Sequence, residues 1–167
     1  MDGSQNLSSV NSTAESTALK VSTKISNLCA LVADDDPALR ELMTDVLGHF
    51  GLKCDAVPDG QFAIDKLSSK SYDIILLDWN MPNMDGLSAA RIIRADSKYD
   101  HIPIIAVTAN SSETDRLTCL NAGMNDFVAK PYSLDSVKKV LLRWLIPNTK
   151  DKYGKFKYPA NFSEYGE

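Results

Sequence analysis

Five short apolar runs recur along the middle of the chain, and amphipathic stretches separate them. The runs are LCALVA (28–33), CDAV (54–57), DIILLD (73–78), PIIAVTA (103–109) and DFVAK (126–130). A short continuous apolar run suits a strand buried on both faces. The first helix is predicted after Asp36-Pro37, an N-cap acid followed by Pro at the first helical position. Leu39, Leu42, Met43, Val46, Leu47 and Phe50 then share one helical face, and Gly51 stops it. Further helices are predicted over 61–67 after Asp59-Gly60, over 87–95, over 112–123 ending in Gly123, and from the Ser133 cap. Leu134, Val137, Leu141, Trp144 and Leu145 form the apolar face of the last helix, and Pro147 ends it. MPNMDG (81–86) is a loop by its Pro, Asn and Gly content. Strand–helix alternation with short connections implies right-handed crossovers. The fold class is therefore α/β: a single domain with a doubly wound, five-stranded parallel sheet and five helices.

Composition narrows the function classes. The net charge of −4 argues against a nucleic-acid binder that works through a basic surface. No apolar run approaches the roughly 20 residues that a membrane span needs. The three cysteines make a disulfide framework unexpected and suit a reducing cytoplasm. Residues 1–27 hold ten Ser or Thr and no aromatic residue, so they read as a disordered leader. Residues 148–167 read as a polar tail, with KYGKFKY (152–158) a disordered end rather than a docking segment. The folded unit is placed at 28–147.

In parallel α/β sheets functional residues gather at the carboxyl ends of the strands. Here those ends carry Asp34-Asp35-Asp36, Asp78, Thr108-Ala109 and Lys130-Pro131. Acids, a hydroxyl and an ammonium then converge on one edge. Clustered carboxylates repel one another unless a cation relieves them. A lysine and a hard divalent cation both do so. An oxygen-only ligand set favours Mg²⁺, or Mn²⁺ in its place, over zinc. A carboxylate beside such a metal and a lysine is suited to attack phosphorus, as in aspartyl-phosphate formation. The Thr108 hydroxyl can donate to the phosphoryl group.

These strand-end motifs, taken in order, resemble the receiver domain of two-component response regulators. The likeness runs over residues 28–147. DWNMPNMDG (78–86) is similar to the corresponding loop of the single-domain chemotaxis regulator, while PIIAVTA and RWL (143–145) look more like receivers of hybrid sensor kinases. The resemblance implies a flavodoxin-like strand order of 2-1-3-4-5. It implies Asp78 as phosphoacceptor, Asp35 as a direct Mg²⁺ ligand and Asp34 as one acting largely through water. Asn80 supplies a backbone carbonyl, and Thr108 and Lys130 hold the phosphoryl oxygens. It further implies a cis Lys130-Pro131 peptide. Phe127 is the switch aromatic, without the hydroxyl that a Tyr would bring. Asn80 and Asn110 sit where the family tunes dephosphorylation. The implied donor is a histidine kinase or histidine phosphotransfer protein, and the output is a remodelled face of helix four, strand five and helix five. The chain is then not an enzyme in the ordinary sense: it catalyses only its own phosphorylation and dephosphorylation.

Plainer readings hold elsewhere. Asp36 is a helix cap, Asp85 and Asp126 are loop acids, and Gly86 serves a positive φ. Trp79 flanks the site. His49 and His101 are lone surface histidines. Cys29, Cys54 and Cys119 are small, partly buried residues. Two other functions fit less well. A haloacid-dehalogenase-like phosphohydrolase places its nucleophile at the end of the first strand in an Asp-x-Asp pattern, whereas Asp78-Trp79-Asn80 lacks the second acid. A receiver-like module that binds partners without phosphorylation would not need the full residue set. A phosphate-binding G-x-x-x-x-G-K-[ST] loop is absent.

Overall fold

A computed structural model describes residues 25–146. Five parallel strands lie in the order β2-β1-β3-β4-β5. They are β1 (Cys29–Ala33), β2 (Lys53–Val57), β3 (Ile74–Asp78), β4 (Ile104–Thr108) and β5 (Asp126–Ala129). The helices are α1 (Pro37–His49), α2 (Gly60–Ser69), α3 (Gly86–Arg94), α4 (Glu113–Asn121) and α5 (Leu134–Leu145). A single 3₁₀ turn, Ser97–Tyr99, precedes β4. Residues 1–24 of the leader and the whole tail, with Pro147 and KYGKFKY, fall outside the described residues.

Alternate residues of each strand face opposite layers. Leu31, Ile75, Leu77, Ile104 and Ala106 pack with Ala63 and Leu67 of α2, Ala89, Ala90 and Ile93 of α3, and Cys119 of α4. Ala30, Val32, Ile74, Leu76, Ile105 and Val107 pack with Met43, Val46 and Leu47 of α1 and with Val137, Val140, Leu141 and Trp144 of α5. All five residues of β3 and all five of β4 are buried, as continuous apolar runs require.

The helix ends follow local chemistry. Asp36 accepts from the Ala38 amide at 2.9 Å, with Pro37 opening α1. Ser112 and Ser133 each form a reciprocal capping box. Gly51 and Gly123 follow the ends of α1 and α4 with φ of 93°, the left-handed conformation that glycine supplies without a steric cost.

Some expectations need correction. Leu42 is 47% exposed and Leu134 50% exposed, so the buried faces of α1 and α5 are narrower than their apolar patterns. Ile25, placed by sequence in the leader, is fully buried among Leu47, Leu52 and Trp144 of the second core layer. One apolar side chain in a Ser/Thr-rich context gives no periodic signal. Asp126 is not a loop acid. It opens β5, is buried, and its Oδ2 accepts from the Trp144 indole at 2.8 Å and pairs with Arg143.

The amino ends of β4 and β5 are tied by Arg94. Its guanidinium donates to the carbonyls of Gly123, Tyr99 and Ile102 and to Asn125 Oδ1, at 2.7–2.8 Å. Asn125 Oδ1 also accepts the Ile104 amide at 2.8 Å. One side chain thus fixes α3, the 3₁₀ turn and the starts of β4 and β5.

Candidate active site

β1 and β3 are neighbours, and the chain leaves them in opposite directions, which opens the crevice at their carboxyl ends. Asp34 follows β1 directly, and Asp78 is the last residue of β3. Both are buried, while Asp35 is exposed. One carboxylate oxygen from each of Asp34, Asp35 and Asp78 lies within 4.8 Å of the other two. Lys130 Nζ bridges two of them, 3.2 Å from Asp34 Oδ2 and 3.2 Å from Asp78 Oδ2.

Several backbone contacts aim these groups. The Asp34 amide donates to the Val57 carbonyl at 3.1 Å, which ties β1 to the end of β2. Asp34 Oδ1 accepts the Asp36 amide at 2.9 Å. Arg40 of α1 donates to the Asp34 carbonyl at 2.6 Å, a contact between residues six apart that sequence reading missed. The Lys130 amide donates to the Thr108 carbonyl at 2.8 Å, and the Lys130-Pro131 peptide is cis.

The electrostatics follow from this packing. Burial and then the neighbouring Asp34 charge push the Asp78 carboxyl up to about 6, against the opposing pull of Lys130. Burial disfavours the Lys130 ammonium, but Asp34 and Asp78 outweigh it and hold its pKa above the usual value. Two adjacent carboxylates sharing one ammonium leave negative charge uncompensated. Three oxygen donors with room for a hard cation are a fitting donor set for Mg²⁺.

Thr108 is buried at the end of β4, and its Oγ1 accepts the Asn110 amide at 3.0 Å. With that lone pair engaged, the hydroxyl proton remains free to be donated. Asn80 is exposed, two residues past Asp78, and Trp79 is half-buried against the core beside the site. Phe127 is half-buried on β5, with the Arg116 guanidinium carbon 5.2 Å from its ring centroid. It lines a groove of about 200 Å³ between β5 and α5 that also contains Arg116, Lys139 and Arg143.

Gly86 does not serve a positive φ; that conformation falls on Asn83, at 64°. Gly86 is needed for close approach, because a Cβ there would lie 2.3 Å from the Asp78 carbonyl oxygen. Asp85 is the N-cap of α3, accepting the Ser88 amide at 2.7 Å. Asp36 caps α1, while Asp34 and Asp35 join the acid cluster. His49 and His101 are exposed, and the three cysteines are free thiols.

Comparison with known proteins decides the family. The family model for the response regulator receiver domain matches residues 30–142. The chain belongs to the response regulator receiver family. It is 40% identical over 115 residues to the sensor histidine kinase RcsC of Escherichia coli K12, covering 69% of this chain and 12% of RcsC. It is 39% identical over 115 residues to the transcription factor SKN7 of Saccharomyces cerevisiae, covering 69% of this chain and 18% of SKN7. The chain therefore spans less than a fifth of the length of these relatives. Among solved structures it is similar to the receiver domain of the sensor histidine kinase PA1611 from Pseudomonas aeruginosa. That match has 38% identity and a TM-score of 0.67, and covers 72% of this chain and 98% of that one. The PA1611 receiver was solved with a magnesium ion in its active-site cleft. As a receiver, this chain has the 2-1-3-4-5 order of the flavodoxin-like sheet.

Proposed function

We propose that this receiver is a phospho-accepting signalling switch with Asp78 as acceptor. The observation that carries the reading is the shared contact of Lys130 with Asp34 and Asp78 inside a cluster of three carboxylates. Asp34, Asp35, Asp78 and the Asn80 carbonyl would hold Mg²⁺, with Mn²⁺ able to substitute. When bound, the metal neutralises charge on the phosphoryl oxygens. An Asp78 carboxylate oxygen attacks phosphorus while the bond to the donor, the P–N bond of a phosphohistidine, breaks and its electrons leave with the imidazole. Lys130 stabilises the transferring group, and the Thr108 hydroxyl donates a hydrogen bond to a phosphoryl oxygen. Asn80 and Asn110 set the rate at which water removes the group.

The donor is a histidine kinase or histidine phosphotransfer protein. Phosphorylation draws Thr108 toward the new group and Phe127 inward, reshaping the α4–β5–α5 face for a protein partner. No helix among the described residues is long and apolar enough to cross a membrane, and the free thiols suit the cytoplasm as the compartment. The PA1611 receiver, with magnesium in its cleft, supports the metal assignment. Intact mass after incubation with acetyl phosphate and Mg²⁺ tests the reading. One added phosphoryl group that EDTA and Asp78→Asn both abolish is the expected result. An unchanged mass in folded protein would favour a phosphorylation-independent interaction module.

A further inference from the structure

The metal side of the site is built from two segments, the start of the β1–α1 loop at Asp34 and the β3–α3 loop that carries Asn80. Neither stands alone. Both are held by the short turn at the end of β2. The Val57 carbonyl accepts the Asp34 amide at 3.1 Å. Two residues later, Asp59 is a buried carboxylate with divided duties. Its Oδ1 caps α2 through the Phe62 amide at 3.0 Å. Its Oδ2 accepts Asn83 Nδ2 at 3.1 Å. The next residue, Gly60, donates its amide to the Met84 carbonyl at 3.1 Å and leaves no room for a Cβ, which would meet that same oxygen at 2.9 Å.

A cap alone needs one oxygen. The second is spent on a loop residue 24 positions away, and that residue adopts the left-handed conformation with φ of 64°. The loop's two ends are closed by the Gly86 amide on the Trp79 carbonyl at 3.0 Å. Between those ends, Asn80 is exposed, and the contacts at Asn83 and Met84 tie the far side of the loop to the turn that follows β2.

We infer that Asp59 and Asn83 are positioning residues for metal binding: the Asp59–Asn83 contact fixes the β3–α3 loop so that the Asn80 carbonyl and the Asp34 carboxylate face one ion. The inference rests on the metal-dependent reading above. Removal of such an outer contact costs about tenfold in metal affinity. Because the two residues act through one contact, breaking it twice costs no more than breaking it once.

The test compares wild type, Asn83→Gly, Asp59→Ser and the double variant. Glycine keeps the positive φ at 83 and removes only the side chain. Serine keeps an N-cap for α2 and removes the reach to Asn83. Mg²⁺ is titrated against tryptophan emission, with Trp79→Phe confirming the source of the signal, and melting is followed in EDTA. The expected result is Mg²⁺ binding weakened about tenfold in each single variant and no further in the double variant. Asn83→Gly should melt within a few degrees of wild type, and excess Mg²⁺ should restore its phosphorylation rate. Wild-type Mg²⁺ affinity in Asn83→Gly overturns the inference and leaves the metal reading intact. So does a product of the two single losses in the double variant. A wild type that binds no Mg²⁺, indistinguishable from Asp35→Asn, overturns the metal reading itself and the inference with it.

Discussion

Replacing Asp126 by Ala should be among the most damaging substitutions outside the acid cluster. Asp126 is 6% exposed, and its partner Arg143 is 11% exposed at the side chain. Its Oδ2 holds Arg143 and the Trp144 indole N–H together, and its Oδ1 accepts the Phe127 amide at 2.8 Å. The carboxylate therefore joins the start of β5 to the last turns of α5. Breaking a buried pair by removing one partner costs about 3–5 kcal/mol, and the partial exposure of Arg143 argues for the low end. A loss of about 3 kcal/mol in a domain of about 120 residues lowers the melting temperature by roughly 10–12 °C. Urea unfolding and thermal melts of Asp126→Ala, Asp126→Asn and Trp144→Phe measure this. The asparagine variant keeps an acceptor for the indole and loses only the charge, so it should fall between wild type and alanine. A loss below about 1 kcal/mol in Asp126→Ala would refute the reasoning, since it would put Asp126 in the class of exposed ion pairs.

Other perturbations separate the site's parts. In EDTA, Asp78→Asn should be more stable than wild type by about 1 kcal/mol, because it removes one of two carboxylates that share Lys130. Mg²⁺ should raise the melting temperature of wild type and do less for the variant; a variant that melts below wild type in EDTA contradicts this. Gly86→Ala should cost about 1–3 kcal/mol and weaken metal binding, because its Cβ would press on the Asp78 carbonyl; wild-type stability and affinity would contradict the close approach. Away from the site, the Lys70 ammonium and then the Tyr72 hydroxyl hold the Asp55 carboxyl below its usual value. A depressed carboxyl contributes stability that is present above its unfolded pKa of about 4 and lost as the pH falls through the folded value. The stability difference between wild type and Asp55→Asn should therefore shrink below about pH 4, and a constant difference down to pH 2 would contradict it.

The fold was legible because burial on both faces forces continuous apolar runs. IILLD and IIAVT could hardly be anything but central strands once helical faces flanked them. The site was legible for a related reason. Asp78 and Thr108 end such runs and Asp34 follows one, and a parallel sheet brings strand ends to one edge whatever the loops do. Contacts made by convergence were not legible. Arg94 reads as one more cation on an amphipathic helix, and nothing local says that Gly123, Tyr99, Ile102 and Asn125 meet around it. Asp126 has the same difficulty: its value lies in Arg143 and Trp144, 17 and 18 residues on. Gly86 stands out in the loop, but sequence shows where glycine stands and not whether φ or proximity requires it; here it is proximity. The Asp59 cap was half visible, through Asp-Gly before a helix, while its second oxygen was not.

The central claim is that Asp78 is the acceptor, and locating the acyl phosphate tests it most directly. The protein is phosphorylated with acetyl phosphate in Mg²⁺, reduced with borohydride and sequenced by tandem mass spectrometry. The account predicts homoserine in place of aspartate at position 78 and nowhere else. Reduction at Asp34 or Asp35 with Asp78 intact, or no reduced residue at all, would contradict it.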